Sequence, residues 1–120
     1  ILKPGEIVTG VDIPDPEDGS RSGYLKFKER GAWDFAVVSV AAVLKKRGNQ
    51  IVNGRIAFGG IAPIPWEDKN LNTKIKGELN TQKIQGLSLE ILKEAEPLEQ
   101  NAYKITLARN LTKRLLNKLI

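Results

Sequence analysis

The apolar positions of this chain fall into two regimes. Up to about residue 62 they recur at every second position or fill short runs, and beyond Pro63 and Pro65 the spacing lengthens to three and four. The first regime predicts strands. In Glu6 to Ile13 (EIVTGVDI) the residues Ile7, Thr9, Val11 and Ile13 share one face, which predicts a strand, and the turn formers Pro14-Asp15-Pro16-Glu17-Asp18-Gly19 end it. Tyr24 to Arg30 alternates again, with Tyr24, Lys26 and Lys28 on one face, Leu25 and Phe27 on the other, and Gly31 as a break. Trp33 to Phe35 is expected to form one helical turn. Val37 to Leu44 is apolar on both faces, a pattern open to a buried helix or a buried strand; its valines favour strand. The KKRGNQ loop and the QIVNGRIAFGG segment then complete a long antiparallel hairpin. Asn53-Gly54 reads either as a bulge inside the last strand or as the hairpin turn itself.

The second regime predicts helices. One is expected from Glu67 to Lys76, ended by Gly77, because glycine adopts positive φ at a helix C-terminus. Thr81 is placed to cap a second helix running to about Ala95, with Leu87, Ile91 and Ala95 at i, i+4 and i+8. Gly86 weakens its first turns by ~1 kcal/mol relative to alanine. Pro97 separates it from a last helix, Asn101 to Leu119, striped by Ile105, Ala108, Thr112, Leu115 and Leu119, with Lys113, Arg114 and Lys118 suited to the C-terminal end of its dipole. Strands first and helices second give an α+β fold: an antiparallel sheet of three to four strands from the N-terminal half, covered on one face by about three helices from the C-terminal half. No internal repeat or low-complexity segment is present.

Composition narrows the chemistry. The 120 residues suit one domain, able to bury roughly 65–70% of the surface its unfolded chain exposes. There is no cysteine and no histidine, which removes disulfides, thiolate nucleophiles, His-based triads and most zinc sites. No paired-carboxylate motif and no glycine-rich dinucleotide or phosphate loop is present, so an autonomous enzyme is not expected. Methionine is absent and residue 1 is Ile, so the chain reads as a piece cut from something longer. No apolar run reaches the ~20 residues that span a bilayer, so no membrane partner is expected. The absence of cysteine is compatible with the cytoplasm, the expected location.

The net charge is +5, and the densest basic cluster, Lys45-Lys46-Arg47, reads as a solvated hairpin tip or, alternatively, a phosphate-binding patch. The seven aromatic residues are not interleaved with that cluster as a nucleic-acid stacking platform requires, and no nucleic-acid partner is expected.

Three pieces, in order, carry a family resemblance. EIVTGVDIP is similar to an opening "EI…IP" strand; KFKERGAWDFAVVSVAA, through Lys28, Arg30, Asp34 and Ala36, is similar to a strand pair; RIAFGGIAPIP is similar to an R-x-A-x-GG-x-A-x-x-P segment. Together they resemble the C-terminal domain of the FAD-binding (medium) subunit of molybdenum hydroxylases, the family of carbon monoxide dehydrogenase, the xanthine dehydrogenases and related aldehyde and N-heterocycle oxidoreductases. Late in the chain, Asn101-Ala102-Tyr103-Lys104 falls where the family has a small residue followed by Tyr-Arg, with Lys104 in place of the arginine.

The resemblance implies a role inside a multi-subunit oxidoreductase. The FAD would be held mainly by two domains preceding Ile1, and this domain would close over the flavin. Molybdopterin and iron–sulfur clusters would sit in partner subunits, and the isolated domain would not be catalytic. By residue, Val8 matches a position that touches FAD, against a reading as a core valine. Lys28 matches a lysine close to the flavin, where a fixed cation stabilises the reduced ring; the plain reading is a solvated strand lysine. Gly59 and Gly60 would let a flavin or the neighbouring domain approach, or they form a bulge. Asp34 is expected to cap the turn after Trp33 or to pair with Arg30. Trp66 is expected in the core or at a domain interface, and Arg55 is expected to pair across the sheet with an acidic neighbour. The alternative function is a stand-alone basic interaction module binding protein or nucleic acid.

Overall fold

A computed structural model describes residues 2–120. Its strands are β1 (Ser20–Phe27), β2 (Val38–Arg47), β3 (Gln50–Gly59), β4 (Trp66–Glu67) and β5 (Gly77–Glu78); its helices are α1 (Lys69–Lys74), α2 (Thr81–Glu90) and α3 (Tyr103–Leu119). The sheet is antiparallel in the order β1-β2-β3-β4, and β5 also pairs with β3.

The core follows from alternation in two strands. Val38, Val40, Ala42 and Leu44 of β2 are at most 2% exposed, while Ala41 and Val43 between them face outward. On β3 the residues Ile51, Ile56 and Phe58 bury toward the same side. That side meets Leu71 and Ile75 around α1, Ile84 and Leu87 of α2, and Ala108, Leu111, Leu115, Leu116 and Leu119 of α3. Each such aliphatic side chain contributes ~1.5–3 kcal/mol by leaving water. All three helices thus cover one face of the sheet, as the α+β reading expects.

The hairpin turns at Gly48-Asn49, with Arg47 opposite Gln50 and Gly48 at φ 58°. The register then shifts: Lys46 faces Ile51 but Lys45 faces Asn53, so Val52 is the extra residue of a bulge. Asn53-Gly54 is therefore beside a bulge and not in the turn. Gly54 faces the core, where a Cβ would lie 2.7 Å from Ile75 Cγ2 and 3.1 Å from Leu44 Cδ2.

Several boundaries differ from the sequence reading. Glu6 to Ile13 forms no strand: Ile7, Val8, Val11 and Ile13 are 67–86% exposed and pair with nothing among the described residues. A period-two pattern marks side chains suited to a pleated surface, but a strand also needs a ladder partner. This extended arm accounts for a radius of gyration of 16.0 Å, against about 14 Å for a compact chain of this length. The first paired strand starts and ends earlier than expected, which leaves Lys28 just beyond it.

Trp33 to Phe35 is a bend and not a helical turn, because Trp33 takes φ 49°, outside helical space. Asn80, not Thr81, caps α2 by accepting the Lys83 N–H at 2.9 Å. The same helix stops at Glu90: Ile91 leaves helical space at ψ 127°, and Leu92 follows at φ 54°. Leu87 and Ile91 are buried as the stripe requires, whereas Ala95 is exposed. The two-residue strands β4 and β5 are too short to carry a period.

Phe58→Ala is expected to cost ~3–5 kcal/mol of unfolding free energy, and Val43→Ala, on the open face, less than ~1 kcal/mol. Urea denaturation of both variants measures this, and a reversed order would mean that the core lies on the other face.

Candidate functional site

The residues singled out by the sequence meet at one end of the sheet, where β1 and β3 finish and β2 begins. Phe27 faces Val38 and Ser39 faces Gly59 in the register. The Val37 N–H donates to the Phe27 carbonyl at 2.9 Å and closes the loop 28–36. Inside it, Lys28 Nζ donates to the Gly31 carbonyl. Asp34 Oδ2 accepts the Arg30 backbone N–H at 2.8 Å, and Lys26 Nζ donates to the Asp34 carbonyl at 3.3 Å. Asp34 is thus a brace of the loop through backbone, with no ion pair to the Arg30 side chain. Trp33 and Phe35 stand out from it, 104% and 94% exposed.

Gly59 and Gly60 abut the same loop. A Cβ on Gly59 would lie 2.6 Å from Ser39 Oγ; one on Gly60 would lie 2.6 Å from the Val37 carbonyl oxygen, and Gly60 takes φ 76°. Gly60 is therefore required by the chain's own backbone packing, whereas Gly59 meets a serine hydroxyl that can turn aside. Lys104 of α3 completes the arrangement, donating from Nζ to the Gly60 carbonyl at 2.9 Å. Gly60, held by Lys104, thus packs against the Ala36–Val37 segment, and Gly59 against Ser39, at the end of the sheet from which the Lys28 loop leaves. Val8 is not drawn in: it lies on the extended arm, 67% exposed, which is not the environment of a core valine.

The fit to FAD can be tested on these atoms. Lys28 keeps two of its three ammonium donors for a further acceptor, and Trp33 and Phe35 offer exposed aromatic surface beside it. The space next to the glycines is taken by Ser39 and the Ala36–Val37 carbonyls, and neither the cleft beside Trp66 nor the smaller hollow next to it is lined by Val8, Lys28, Gly59 or Gly60. The residues fit a group lying against them from outside and do not form a pocket that encloses one.

Two further readings resolve. Arg55 pairs with Glu67 of β4 in bidentate fashion, Nε to Oε1 at 2.9 Å and Nη2 to Oε2 at 2.7 Å. Glu67 also accepts from Asn72 Nδ2 at 2.5 Å, and Asn72 Oδ1 accepts the Ile56 N–H at 2.9 Å, which ties β3, β4 and α1 together. Trp66 packs against Phe58, ring centroids 5.9 Å apart, and one side of it lines an open cleft. Of the basic cluster, Lys45 is paired with Glu17, and the cluster sits at the hairpin end. Among the described residues no helix is long and apolar enough to cross a membrane, and no group of His, Cys, Asp and Glu is arranged to hold a metal. Sequence reasoning missed the contact of Lys104 with Gly60; its only signal was the Tyr-Lys step that stands for Tyr-Arg.

The family model described as CO dehydrogenase flavoprotein C-terminal domain matches residues 23–119. The FAD-binding subunit of an aldehyde oxidoreductase from Escherichia coli (strain K12) is 32% identical over 108 residues, 90% of this chain and 31% of that protein. The carbon monoxide dehydrogenase medium chain of Hydrogenophaga pseudoflava is 29% identical over 122 residues, 98% of this chain and 42% of that one. Among solved structures, carbon monoxide dehydrogenase from Hydrogenophaga pseudoflava superposes with a TM-score of 0.79 at 25% identity, over 89% of this chain and 39% of that one. Quinoline 2-oxidoreductase from Pseudomonas putida 86, at 21% identity and a TM-score of 0.75 over 83% of this chain and 36% of that one, shares the fold. The chain thus spans less than half the length of these relatives, and the family match begins at Gly23, after the extended arm.

Two predictions follow from the bonding. Gly60→Ala, forced against a carbonyl in left-handed space, should lose ~1–3 kcal/mol, and Lys104→Ala ~1 kcal/mol, recovered in part by Lys104→Arg; chemical denaturation of the three variants checks the order, and a neutral Gly60→Ala would refute the close packing. The second concerns Glu67. The Arg55 guanidinium hydrogen-bonded to it holds its carboxyl below the ordinary 4.5, against a smaller opposing effect of burial. A carboxylate lowered in the fold stabilises above its unfolded value, and that contribution is lost as pH falls through the folded value. Glu67→Gln should therefore flatten the decline of thermal stability below about pH 4.5, and salt should shrink the difference because the pair is exposed. Parallel wild-type and Glu67→Gln melting curves through that window would remove the pair's role.

Proposed function

We propose, because this chain belongs to the CO dehydrogenase flavoprotein C-terminal domain family, that it is the C-terminal domain of the FAD-containing electron-transfer subunit of a molybdenum hydroxylase, working in the cytoplasm. The observation that carries this is the match over residues 23–119, supported by the like fold. Domains preceding Ile1 hold the FAD. This domain closes over it with the end of the sheet that presents Lys28, and it packs on those domains and on subunits carrying iron–sulfur clusters and molybdopterin. The relatives it matches are named as FAD-binding subunits or medium chains, which supports a part that works within an assembly.

The chemistry supplied by bound FAD is acceptance of electrons and their release to an acceptor. What this chain adds is electrostatic and steric. The Lys28 ammonium, steadied by the Gly31 carbonyl, offers a fixed positive charge to an electron-rich ring and favours its reduced form. The Gly59–Gly60 turn, held by Lys104, fixes the Ala36–Val37 segment behind that loop. Val8, on the arm that leads into the domain, is available to a cofactor held by the preceding domains.

In the assembled flavoprotein, Lys28→Ala is expected to lower the two-electron potential of FAD by ~30 mV, about a tenfold change in the equilibrium, or to weaken FAD retention. Spectroelectrochemical titration and the flavin content of the purified subunit measure the two effects. An unchanged potential together with full flavin content would end the proposed role of Lys28.

A further inference from the structure

A hollow of the domain opens beside Trp66 and is lined in part by Ile61 and Ala62, which follow Gly60. It is a cleft of about 750 Å³ between the segment after β3, α1 and the stretch that follows α2. Trp66, Leu71 and Leu92 give it an apolar floor. Its rim carries the carboxylates of Asp68, Glu90, Glu94 and Glu96 against the ammonium groups of Lys74 and Lys93, four negative charges and two positive, on a domain of net charge +5. Lys74 neutralises Glu90 at 3.0 Å, and Asp68 Oδ1 accepts the N–H groups that cap α1. Glu94 and Glu96 make no salt bridge and no side-chain hydrogen bond among the described residues.

Three further observations bear on what the cleft receives. The wall after α2 is neither helix nor strand, and the backbone N–H groups of Glu94 and Glu96 have no carbonyl partner among the described residues. That wall is held in an uncommon conformation: Leu92 takes φ 54°, while Arg109 Nε fixes the Ile91 carbonyl at 3.1 Å. A smaller hollow shares Ile61, Leu92, Ala95 and Glu96 with the cleft and reaches Asn101, whose Oδ1 is buried with no donor among the described residues. A buried acceptor without a donor is a cost that native structures rarely leave uncompensated. The cleft thus has free carboxylates, an apolar floor and an irregular wall with open backbone donors, and the adjoining hollow holds one unused acceptor.

We infer that this cleft receives an extended segment of a partner subunit in which Lys or Arg stands next to apolar residues. The apolar side chains meet Trp66 and Leu92, the cation meets Glu94 and Glu96, and the backbone pairs with the open N–H groups of the wall. The partner is a subunit of the assembly named under the proposed function, so the inference rests on that reading.

The test places the photo-cross-linking residue p-benzoylphenylalanine at Ala95, an exposed position, in the full-length flavoprotein subunit produced together with its iron–sulfur and molybdenum subunits. Gel filtration reports whether the assembly forms, and mass spectrometry identifies the cross-linked peptide. The expected result is a peptide from a partner subunit that contains Lys or Arg beside apolar residues. Glu94→Lys with Glu96→Lys should lower the yield about tenfold, while Glu78→Lys with Asp18→Lys, the same charge change on residues that line neither hollow, should not. Assembly with no cross-link to a partner, or with a link only to the subunit itself or to an acidic segment, overturns the inference and leaves the proposed function standing. If the unmodified subunit joins no iron–sulfur or molybdenum subunit, the proposed function falls and the inference falls with it.

Discussion

The structure depends on the one-sided burial of the β2–β3 hairpin. Val38, Val40, Ala42 and Leu44 all point to the same side, and a slip of one residue would send every one of them into water. At ~1.5–3 kcal/mol for each of the three large aliphatic groups, that slip would remove a large share of the ~5–15 kcal/mol by which a typical domain is stable. The register is thereby fixed, and with it the end of the sheet at which Phe27, Val38 and Gly59 come together. The helices add to this frame: α3 lies over β1 and β2, and its end is held by Arg21 of β1, whose Nη1 donates to the Leu119 and Ile120 oxygens at 3.3 and 3.1 Å.

What was legible in the sequence divides along a physical line. Helix α3 could be read because its burial is periodic, and a period is a property of sequence; β2, apolar on both faces, could be read from its valines and from the hairpin that follows it. The Glu6–Ile13 pattern was read correctly as alternation and wrongly as a strand of this sheet, because a ladder partner is a property of space. The same holds for α2. The spacing of Leu87, Ile91 and Ala95 satisfies a helix, but Ile91 leaves helical geometry while its carbonyl is held by Arg109, eighteen residues on. Of the candidate site, the gathering of Lys28, Gly59 and Gly60 at one end followed from the order of strands. The contact of Lys104 with Gly60 joins residues forty-four apart, and the Tyr-Lys step marks the lysine but not its partner.

The glycine pair shows how a structural demand and a functional one can occupy the same residues. Ser39 Oγ and the Val37 carbonyl stand where each Cβ would go, and at Gly60, where the neighbour is backbone and φ is positive, packing alone forbids a larger residue. That does not compete with a role beside a cofactor, because the same packing fixes the loop that carries Lys28. A lysine on a loose loop would lose much of its electrostatic effect to side-chain and backbone freedom. Here the loop is closed by the Val37 to Phe27 hydrogen bond and braced by Asp34, so the charge is presented from a fixed position.

The distribution of charge settles how the basic character of the domain is to be understood. Helix α3 contains Lys104, Arg109, Lys113, Arg114 and Lys118 and no acidic residue. Those five cations equal the whole net charge; the remaining fourteen basic residues balance the fourteen acidic ones. Two of the five hold carbonyls, Lys104 that of Gly60 and Arg109 that of Ile91, and so shape the turn after β3 and the wall of the cleft. Lys118 lies in the last turn, where the helix dipole favours a cation. A net charge assembled in this way reflects the internal work of one helix, and no phosphate-tracking surface need be invoked to explain it.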